Sequence, residues 1–293
     1  MDLDLYRQFY AEEIRAVAHL RSAVLAAAFA RVPRERFLGP GPWQILAPGA
    51  ETMGVSYWTT PDADPRHLYH NVLVAIDPAR QLNNGQPTAL ATWLDELGLQ
   101  PGESFLHIGC GVGYYTAIAA EAVGPTGRVV GVEVDLGLAA RARENLAERD
   151  NVQVTAGDGG EVDSGPVDAI LVNAGATHPR PLWLDRLRSG GRLLLPLTFA
   201  APGAATGVGY MLRIERREVP ETPYAARFVG PVGIYHCEGA RDPELNLKLR
   251  EGLARGTFRT VTTLSRAPHE PGPACWLHGT DFCLQSGAAG GAA

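Results

Sequence analysis

Apolar residues recur at helical spacing over residues 4–31, which predicts one or two helices. The proline- and glycine-rich stretch that follows ends them, and residues 39–80 show no lasting period apart from a short predicted strand at NVLVAI. The segment QPTALATWLDELGL again has helical periodicity and predicts a helix that ends at Gly98. The first third of the chain therefore combines helices with irregular structure.

From Ser104 onward, short apolar runs alternate with amphipathic segments. The predicted order is strand SFLHIG, helix YYTAIAAEAVG, strand GRVVGVEV, helix LGLAARARENLAER, strand NVQVTAGD, strand VDAILVNAG, helix RPLWLDRLRSGG and strand GRLLLPLT. Such alternation is typical of an α/β fold. We therefore expect a Rossmann-like, mostly parallel sheet with helices on both faces, preceded by N-terminal helices and followed by a C-terminal extension.

The last part of the chain has a different pattern. GVGYMLRIERRE and YAARFVGPVGIYHC predict antiparallel strands at the sheet edge. Beyond Glu238 the sequence predicts one helix in DPELNLKLREGLA, one strand in FRTVTTLSR and a disordered Gly/Ala terminus.

Composition narrows the class of protein. The 293 residues carry a formal net charge of -6, and they include no run of basic residues, so we expect no nucleic-acid partner. No apolar run approaches the roughly 20 residues of a membrane helix, and the N-terminus is acidic, so we expect a cytoplasmic protein without a membrane partner.

The four cysteines do not suggest a disulfide framework in a chain of this length. Cys275 and Cys283 flank His278 and Asp281 in CWLHGTDFC, which is a composition that a metal site can have. Zinc ligands normally come in closely spaced pairs, and we expect no such pair from the spacing of the two cysteines. The sequence interpretation is therefore that there is no metal site.

Three glycines at alternate positions follow the first strand of the alternating region, namely Gly109, Gly111 and Gly113. Glycine lets such a loop adopt positive φ angles and lets a ligand lie directly on the peptide groups; the alternative is a tight turn without a ligand. A dinucleotide loop requires glycine where Tyr114 stands, and a phosphate-binding P-loop requires Gly-Lys-Ser/Thr, which is missing. The remaining common ligand of this architecture is S-adenosylmethionine.

Acidic residues end the next two strands. Glu133 lies twenty residues after Gly113 and is expected to accept hydrogen bonds from both ribose hydroxyls. Asp158, in AGDGG, is expected at the same sheet edge as an acceptor for the adenine amino group; the alternative is a turn residue beside glycines.

With these motifs in place, the chain resembles class I S-adenosylmethionine-dependent methyltransferases and, more narrowly, the protein-L-isoaspartate O-methyltransferase family. The stretches that carry the resemblance to this family are VPRERF, NNGQPTALATWLDELGLQPGE, DAILVNAGATHPRPLWLDRLRSGGRLLLPL and ARFVGPVG, and they cover roughly residues 20–236. The resemblance implies an N-terminal region at 1–80, a methyltransferase domain at 81–236 and an extension at 237–293.

The resemblance also implies a set of site residues. The cofactor is expected to contact Gln86, Pro87, Gly109, Cys110, Gly111, Gly113, Tyr115, Glu133, Val134, Asp158, Gly159 and Asn173. Asn84 and His178 are the candidate catalytic residues, with His178 as a base if the acceptor needs one and as a surface or structural residue otherwise.

Three features depart from the family pattern. His107 stands where family members usually have an acidic residue, Gly85 stands where they have a serine, and the residues from Glu238 onward have no counterpart in the compact repair enzymes. The expected function is methyl transfer to a carboxylate of a protein or peptide. The alternatives are a relative that modifies a peptide natural product or small molecule, an NAD-dependent oxidoreductase, and a non-catalytic cofactor-binding protein; the oligomeric state is not predicted.

Overall fold

The computed structural model describes residues 2–47, 56–219 and 224–287. Its α-helices, numbered in chain order, are α1 (Leu3–Val17), α2 (Ala23–Arg31), α3 (Pro87–Leu97), α4 (Tyr114–Val123), α5 (Leu136–Leu146), α6 (Pro181–Arg186) and α7 (Pro243–Ala254). The predicted helices near the N-terminus, before Gly98 and after Glu238 are thereby confirmed. Within the described residues, no helix is both long enough and apolar enough to span a membrane.

Fourteen strands are present in the described part of the chain. They are β1 (Gln44–Leu46), β2 (Tyr57–Thr59), β3 (Ala75–Asp77), β4 (Leu82–Asn83), β5 (Ser104–Ile108), β6 (Arg128–Glu133), β7 (Val152–Ala156), β8 (Val167–Val172), β9 (Leu187–Phe199), β10 (Thr206–Arg216), β11 (Tyr224–Tyr235), β12 (Val261–Ser265), β13 (Cys275–His278) and β14 (Cys283–Ser286).

Ten of these strands form one sheet in the order β13-β14-β12-β11-β10-β9-β8-β5-β6-β7. β8 is parallel to both β5 and β9, and α4 and α5 lie between β5, β6 and β7 in the chain. All five residues of β5 are buried, as expected for a strand inside a covered sheet. The predicted Rossmann-like architecture is confirmed.

The C-terminal part of the sheet is antiparallel. β10 pairs with β9 and with β11, as the sequence predicted, but these strands do not end the sheet. β12, β14 and β13 continue it through further antiparallel pairs, and the last two strands were not predicted. The predicted disordered terminus at residues 288–293 lies outside the described residues.

One predicted helix was wrong in its extent. We expected RPLWLDRLRSGG to form a helix that closes on Gly190 and Gly191, whereas α6 ends at Arg186 and β9 begins at Leu187. Val167 pairs with Leu187, but Ala169 pairs with Arg192, so residues 188–191 bulge out of the ladder. The paired glycines therefore belong to a β-bulge.

The chain divides into two compact units. Unit 1 comprises residues 1–103, 110–131 and 135–154, and unit 2 comprises residues 104–109, 132–134 and 155–293. The sequence-based division at 80/81 and 236/237 stays a prediction.

Unit 1 contains a fully buried cation, Arg34, in the VPRERF segment. Its guanidinium donates to the carbonyls of Leu68 at 2.7 Å, His70 at 3.1 Å and Val72 at 2.8 Å. A buried charge is tolerated only when it is hydrogen-bonded in this way, so Arg34 orders residues 68–72. These residues lead directly to β3 and to the segment that carries Asn84.

Candidate functional site

In unit 2, the carboxyl ends of β5, β6 and β7 lie side by side. The backbone N–H of Gly109 donates to the carbonyl of Val132 at 2.8 Å, and the N–H of Gly157 donates to the carbonyl of Glu133 at 2.9 Å. Glu133 is thus held between the residues that follow β5 and β7. Glu133 is itself buried, with 7% exposure, although carboxylate residues lie mostly on protein surfaces.

Gly109 and Asn173 meet at this edge of unit 2. The N–H of Asn173 donates to the carbonyl of Ile108 at 2.8 Å, and its side-chain amide donates to the carbonyl of Gly109 at 3.4 Å. Gly109 has a φ of +73°, and a β-carbon there would lie 3.2 Å from the Asn173 carbonyl oxygen. Glycine is therefore favoured at 109, and Asn173 is hydrogen-bonded to the start of the loop.

In unit 1, the rest of the loop contains Cys110, Gly111 and Gly113. Gly111 has a φ of +56°, and a β-carbon there would have no atom of the described residues within 4 Å. Gly113 has a φ of +92° and caps α4, and a β-carbon there would lie 2.7 Å from Leu146. Packing explains Gly113, whereas the open space at Gly111 fits a backbone that a ligand approaches.

Val134 follows Glu133 directly and is 43% exposed. The end of β6 therefore offers one exposed apolar residue and one buried acidic residue, which are consecutive in the chain. A nucleoside has the complementary features, namely an apolar base face and ribose hydroxyls. Both residues are in unit 2 and were predicted from the sequence.

Asp158 and Gly159 follow β7 in unit 2. The N–H of Gly160 donates to the Asp158 carboxylate at 2.8 Å, which is the hydrogen bond of an Asx turn. A β-carbon at Gly239 would lie 2.1 Å from the same carboxylate, so the extension runs directly against Asp158. A β-carbon at Gly159 would lie 2.3 Å from Ile108, so glycine at this position lets the loop pack on β5.

The segment before α3, in unit 1, carries Asn84 and Gln86. Asn84 is buried with 6% exposure, and its side-chain nitrogen has no hydrogen-bond partner within the described residues. Gln86 is exposed, and Pro87 is buried at the first turn of α3. A buried amide donor without a partner is costly, so Asn84 is a strong candidate for contact with a ligand.

Tyr115 has a structural contact in unit 1. Its hydroxyl donates to the carbonyl of Gly85 at 3.0 Å, and burial raises the pKa of the phenol. Gly85 has a φ of +73°, and a β-carbon there would lie 3.0 Å from Leu90 and 3.2 Å from Tyr115. The predicted contact of Tyr115 with the cofactor stays a prediction.

His178 lies in the loop after β8 in unit 2. Its Nδ1 atom is 3.0 Å from the Thr177 hydroxyl, and its ring stacks on Phe282 with the centroids 6.2 Å apart. Burial and the nearby Arg180 lower the pKa of His178, which favours the neutral imidazole that a base requires. Both contacts also suit a structural residue, so its catalytic role stays a prediction.

His107 lies within β5 and is 1% exposed. Burial lowers the pKa of its imidazole from 6.5 to about 3. The residue is therefore neutral in the folded protein at neutral pH and cannot supply the negative charge that an acidic residue would place there.

One group of potential metal ligands was missed at the sequence level. His269, Cys275, His278 and Cys283, all in unit 2, place their ligand atoms within 4.8 Å of one another. Asp281, which the sequence had suggested, is not in this group. The signal was available, because Cys275 and His278 are themselves a closely spaced pair, but His269 lies outside the CWLHGTDFC segment.

Solved structures with this fold include a protein-L-isoaspartate O-methyltransferase, which matches with a TM-score of 0.63 and 22% identity over 85% of this chain and 69% of that chain. A second neighbour is a Plasmodium falciparum structure described as a putative protein-L-isoaspartate O-methyltransferase in complex with S-adenosyl-L-homocysteine. It matches with a TM-score of 0.58 and 18% identity over 79% of this chain and 98% of that chain. At these identities the likeness shows the fold alone.

Sequence relatives carry the assignment further. The protein-L-isoaspartate O-methyltransferase 1 of Archaeoglobus fulgidus is 35% identical over 58% of this chain and 82% of its own length. That of Nitrosospira multiformis is 35% identical over 67% of this chain and 84% of its own length. The model of the protein-L-isoaspartate(D-aspartate) O-methyltransferase family matches residues 61–218, more than half of the chain. With β5, Gly109, Glu133 and Asp158 inside the matched region, the chain belongs to this family.

Proposed function

We propose that the protein is an S-adenosylmethionine-dependent methyltransferase that transfers the methyl group to a carboxylate of a protein or peptide. The observation that carries the proposal is the position of Glu133, a buried carboxylate held between the ends of β5 and β7 by the hydrogen bonds of Gly109 and Gly157. The curated relatives named above are protein-L-isoaspartate O-methyltransferases, which supports this activity.

The residues present fit this cofactor. In unit 2, Glu133 is proposed to accept from the ribose hydroxyls, Val134 to pack on the adenine, and Asp158 to accept from its amino group. Asn173 is proposed to act by holding Gly109 in place. In unit 1, the open backbone at Gly111 and the buried amide of Asn84 are the features that point to a ligand.

Bound S-adenosylmethionine supplies an electrophilic methyl group on a sulfonium. The protein's part in such a displacement is alignment of the acceptor and exclusion of water. A carboxylate acceptor is already ionised at neutral pH and needs no base. Asn84 of unit 1 is proposed as a catalytic residue, because its buried side-chain nitrogen has no hydrogen-bond partner among the described residues.

A second candidate has the same chemistry with a different acceptor, namely a peptide natural product or a small molecule. Gly85 favours it, because this position has no hydroxyl and is left-handed and crowded by Leu90 and Tyr115. A hydroxyl or amine acceptor would benefit from a base, and His178 is the candidate.

The experiment is incubation with methyl-labelled S-adenosylmethionine and a pair of peptides that differ only in an isoaspartyl or an aspartyl residue. The proposal expects a base-labile methyl ester on the isoaspartyl peptide, and loss of labelling in Glu133→Ala. Labelling of neither peptide, with intact cofactor binding by calorimetry, would assign a different acceptor. Absence of cofactor binding would refute the methyltransferase proposal itself.

We also propose a cytoplasmic location. The cysteines at 110, 237, 275 and 283 are all free thiols in the structure, which is the state that a reducing compartment maintains. Disulfide-linked protein isolated under non-reducing conditions from its native cells would contradict this location.

A further inference from the structure

The cluster of His269, Cys275, His278 and Cys283 lies within unit 2, outside the residues 61–218 that the family model matches. β13 and β14 bring three of the four together, because His278 is directly opposite Cys283 in the ladder and Cys275 begins the same strand as His278. His269 comes from the non-regular stretch between β12 and β13. We propose that these four side chains bind one zinc ion.

The spacing of the ligand atoms supports a tetrahedral site. With Zn–N and Zn–S bonds of about 2.0–2.3 Å, neighbouring ligand atoms lie roughly 3.3–3.8 Å apart. The Nε2 atom of His269 is 3.4 Å from the sulfur of Cys275, and all pairs lie within 4.8 Å. A contraction of about 1 Å at the widest pair would complete the tetrahedron.

The choice of donors selects the metal. Two thiolates and two neutral imidazoles neutralise a divalent cation, and this combination of soft and borderline ligands is typical of zinc. Calcium and magnesium require oxygen ligands, and the cluster contains none. Because four protein ligands fill a tetrahedral sphere, the site leaves no open position for substrate and is structural.

The surroundings of the ligands also suit a metal. The Nδ1 atom of His269 lies 2.8 Å from the carbonyl of Ala267; such a bond fixes the tautomer that presents Nε2 as a ligand. The backbone N–H of Gly272 donates to the Cys275 sulfur at 3.3 Å. The Nδ1 atom of His278 is buried and has no hydrogen-bond partner among the described residues. A buried nitrogen without a partner is costly, and binding to zinc would offset the cost of burying this imidazole.

Cys275 and Cys283 would bind zinc as thiolates, so zinc binding would release the protons that the two thiols carry.

The inferred function of the ion is to hold the exposed residues 267–274 against the edge of the sheet. The stretch has no helix or strand of its own, and every residue in it is exposed to solvent. The zinc would connect it at His269 to the hairpin formed by β13 and β14. Such a cross-link stabilises the folded state by the free energy of metal binding.

The test uses the full chain without a histidine tag, purified under reducing conditions and analysed for metal by mass spectrometry. We expect one zinc per chain, and on exchange with cobalt an absorption spectrum with thiolate-to-metal charge transfer and tetrahedral d–d bands. His269→Ala is the most informative variant, because His269 is exposed and lies outside both strands of the hairpin. We expect its zinc affinity to fall by more than about 10-fold.

Matched controls are His70→Ala, an exposed histidine of unit 1, and Cys237→Ser, a cysteine of unit 2 outside the cluster. Both variants are expected to keep the zinc. Three outcomes would overturn the proposal: a wild-type protein that stays metal-free after incubation with zinc, equal zinc in His269→Ala and wild type, or a Cys275–Cys283 disulfide that persists under reductant. Cys283→Ser, judged by circular dichroism and by metal content together, distinguishes loss of zinc from loss of fold.

Discussion

Replacing His107 by leucine is expected to remove part of the pH dependence of the free energy of unfolding. His107 is 1% exposed within β5, where burial lowers its pKa from 6.5 to about 3. In the unfolded chain the imidazole is solvated and regains the ordinary value. Between these two pKa values the unfolded chain binds a proton that the folded protein does not bind, so acid favours unfolding.

The magnitude follows from the two pKa values. Stability from the neutral imidazole is fully present above pH 6.5 and is lost progressively as the pH falls towards 3. For a pKa of 6.5 unfolded and about 3 folded, the free energy of unfolding decreases by about 2 kcal/mol between about pH 7 and pH 5. Leucine does not titrate, so the free energy of unfolding of the variant lacks this decrease between about pH 7 and pH 5.

The assay is urea unfolding followed by circular dichroism at both pH values, for the wild type, His107→Leu and the polar variant His107→Gln. Between about pH 7 and pH 5, the free energy of unfolding of both variants is expected to decrease by about 2 kcal/mol less than that of the wild type. This difference does not depend on the stability of the variants at neutral pH. His70 is exposed to solvent, so His70→Leu controls for the loss of a histidine as such. An equal pH dependence in wild type and both His107 variants would refute the buried, neutral state of His107.

Three further predictions concern the candidate site. Glu133→Ala should weaken cofactor binding by about 1–3 kcal/mol in calorimetry, because two hydroxyls lose a charged acceptor, and unchanged affinity would refute the ribose assignment. Gly111→Val should reduce cofactor affinity more than Gly111→Ala, since both share the positive φ but only valine fills the open space; equal affinities would place the ligand elsewhere. Gly85→Ser should lower the free energy of unfolding in urea by about 1–2 kcal/mol through its left-handed backbone, and a stabilised variant would contradict this geometry.

The sheet edge was predictable from sequence because its geometry follows from local rules. An apolar strand followed by glycine, and then a strand ending in Glu133, must bring their carboxyl ends to one edge when the strands are parallel. The same rule placed Asp158 and Asn173 after β7 and β8. The hydrogen bonds from Gly109 to Val132 and from Gly157 to Glu133 show that the carboxyl ends of β5, β6 and β7 meet at one edge.

The errors occurred where long-range pairing decides the local structure. Residues 180–191 have a helical pattern, yet the pairing of Leu187 with Val167 draws the second half of this stretch into a strand and a bulge. The histidine–cysteine cluster likewise depends on the pairing of β13 with β14 and on the return of His269 towards Cys275. Periodicity within a window carries no information on such contacts.

The extension is built into the loops of unit 2 and is not a simple appendage. The N–H of Thr177 donates to the carbonyl of Ala240 at 2.9 Å, and the N–H of Asp242 donates to the Thr177 hydroxyl at 2.9 Å. Arg241 donates to the carbonyl of Thr198 at 2.8 Å. These bonds hold the loop that carries His178.

The same loop contacts the far end of the extension. Phe282 stacks on His178, and the next residue along the chain is the proposed zinc ligand Cys283. His178 therefore contacts a residue outside the region that the family model matches, in addition to its contact with Thr177 inside that region. The loop that carries His178 contacts the extension, which the family model does not match. A difference in methyl acceptor between this chain and its relatives would therefore have a physical cause in this loop.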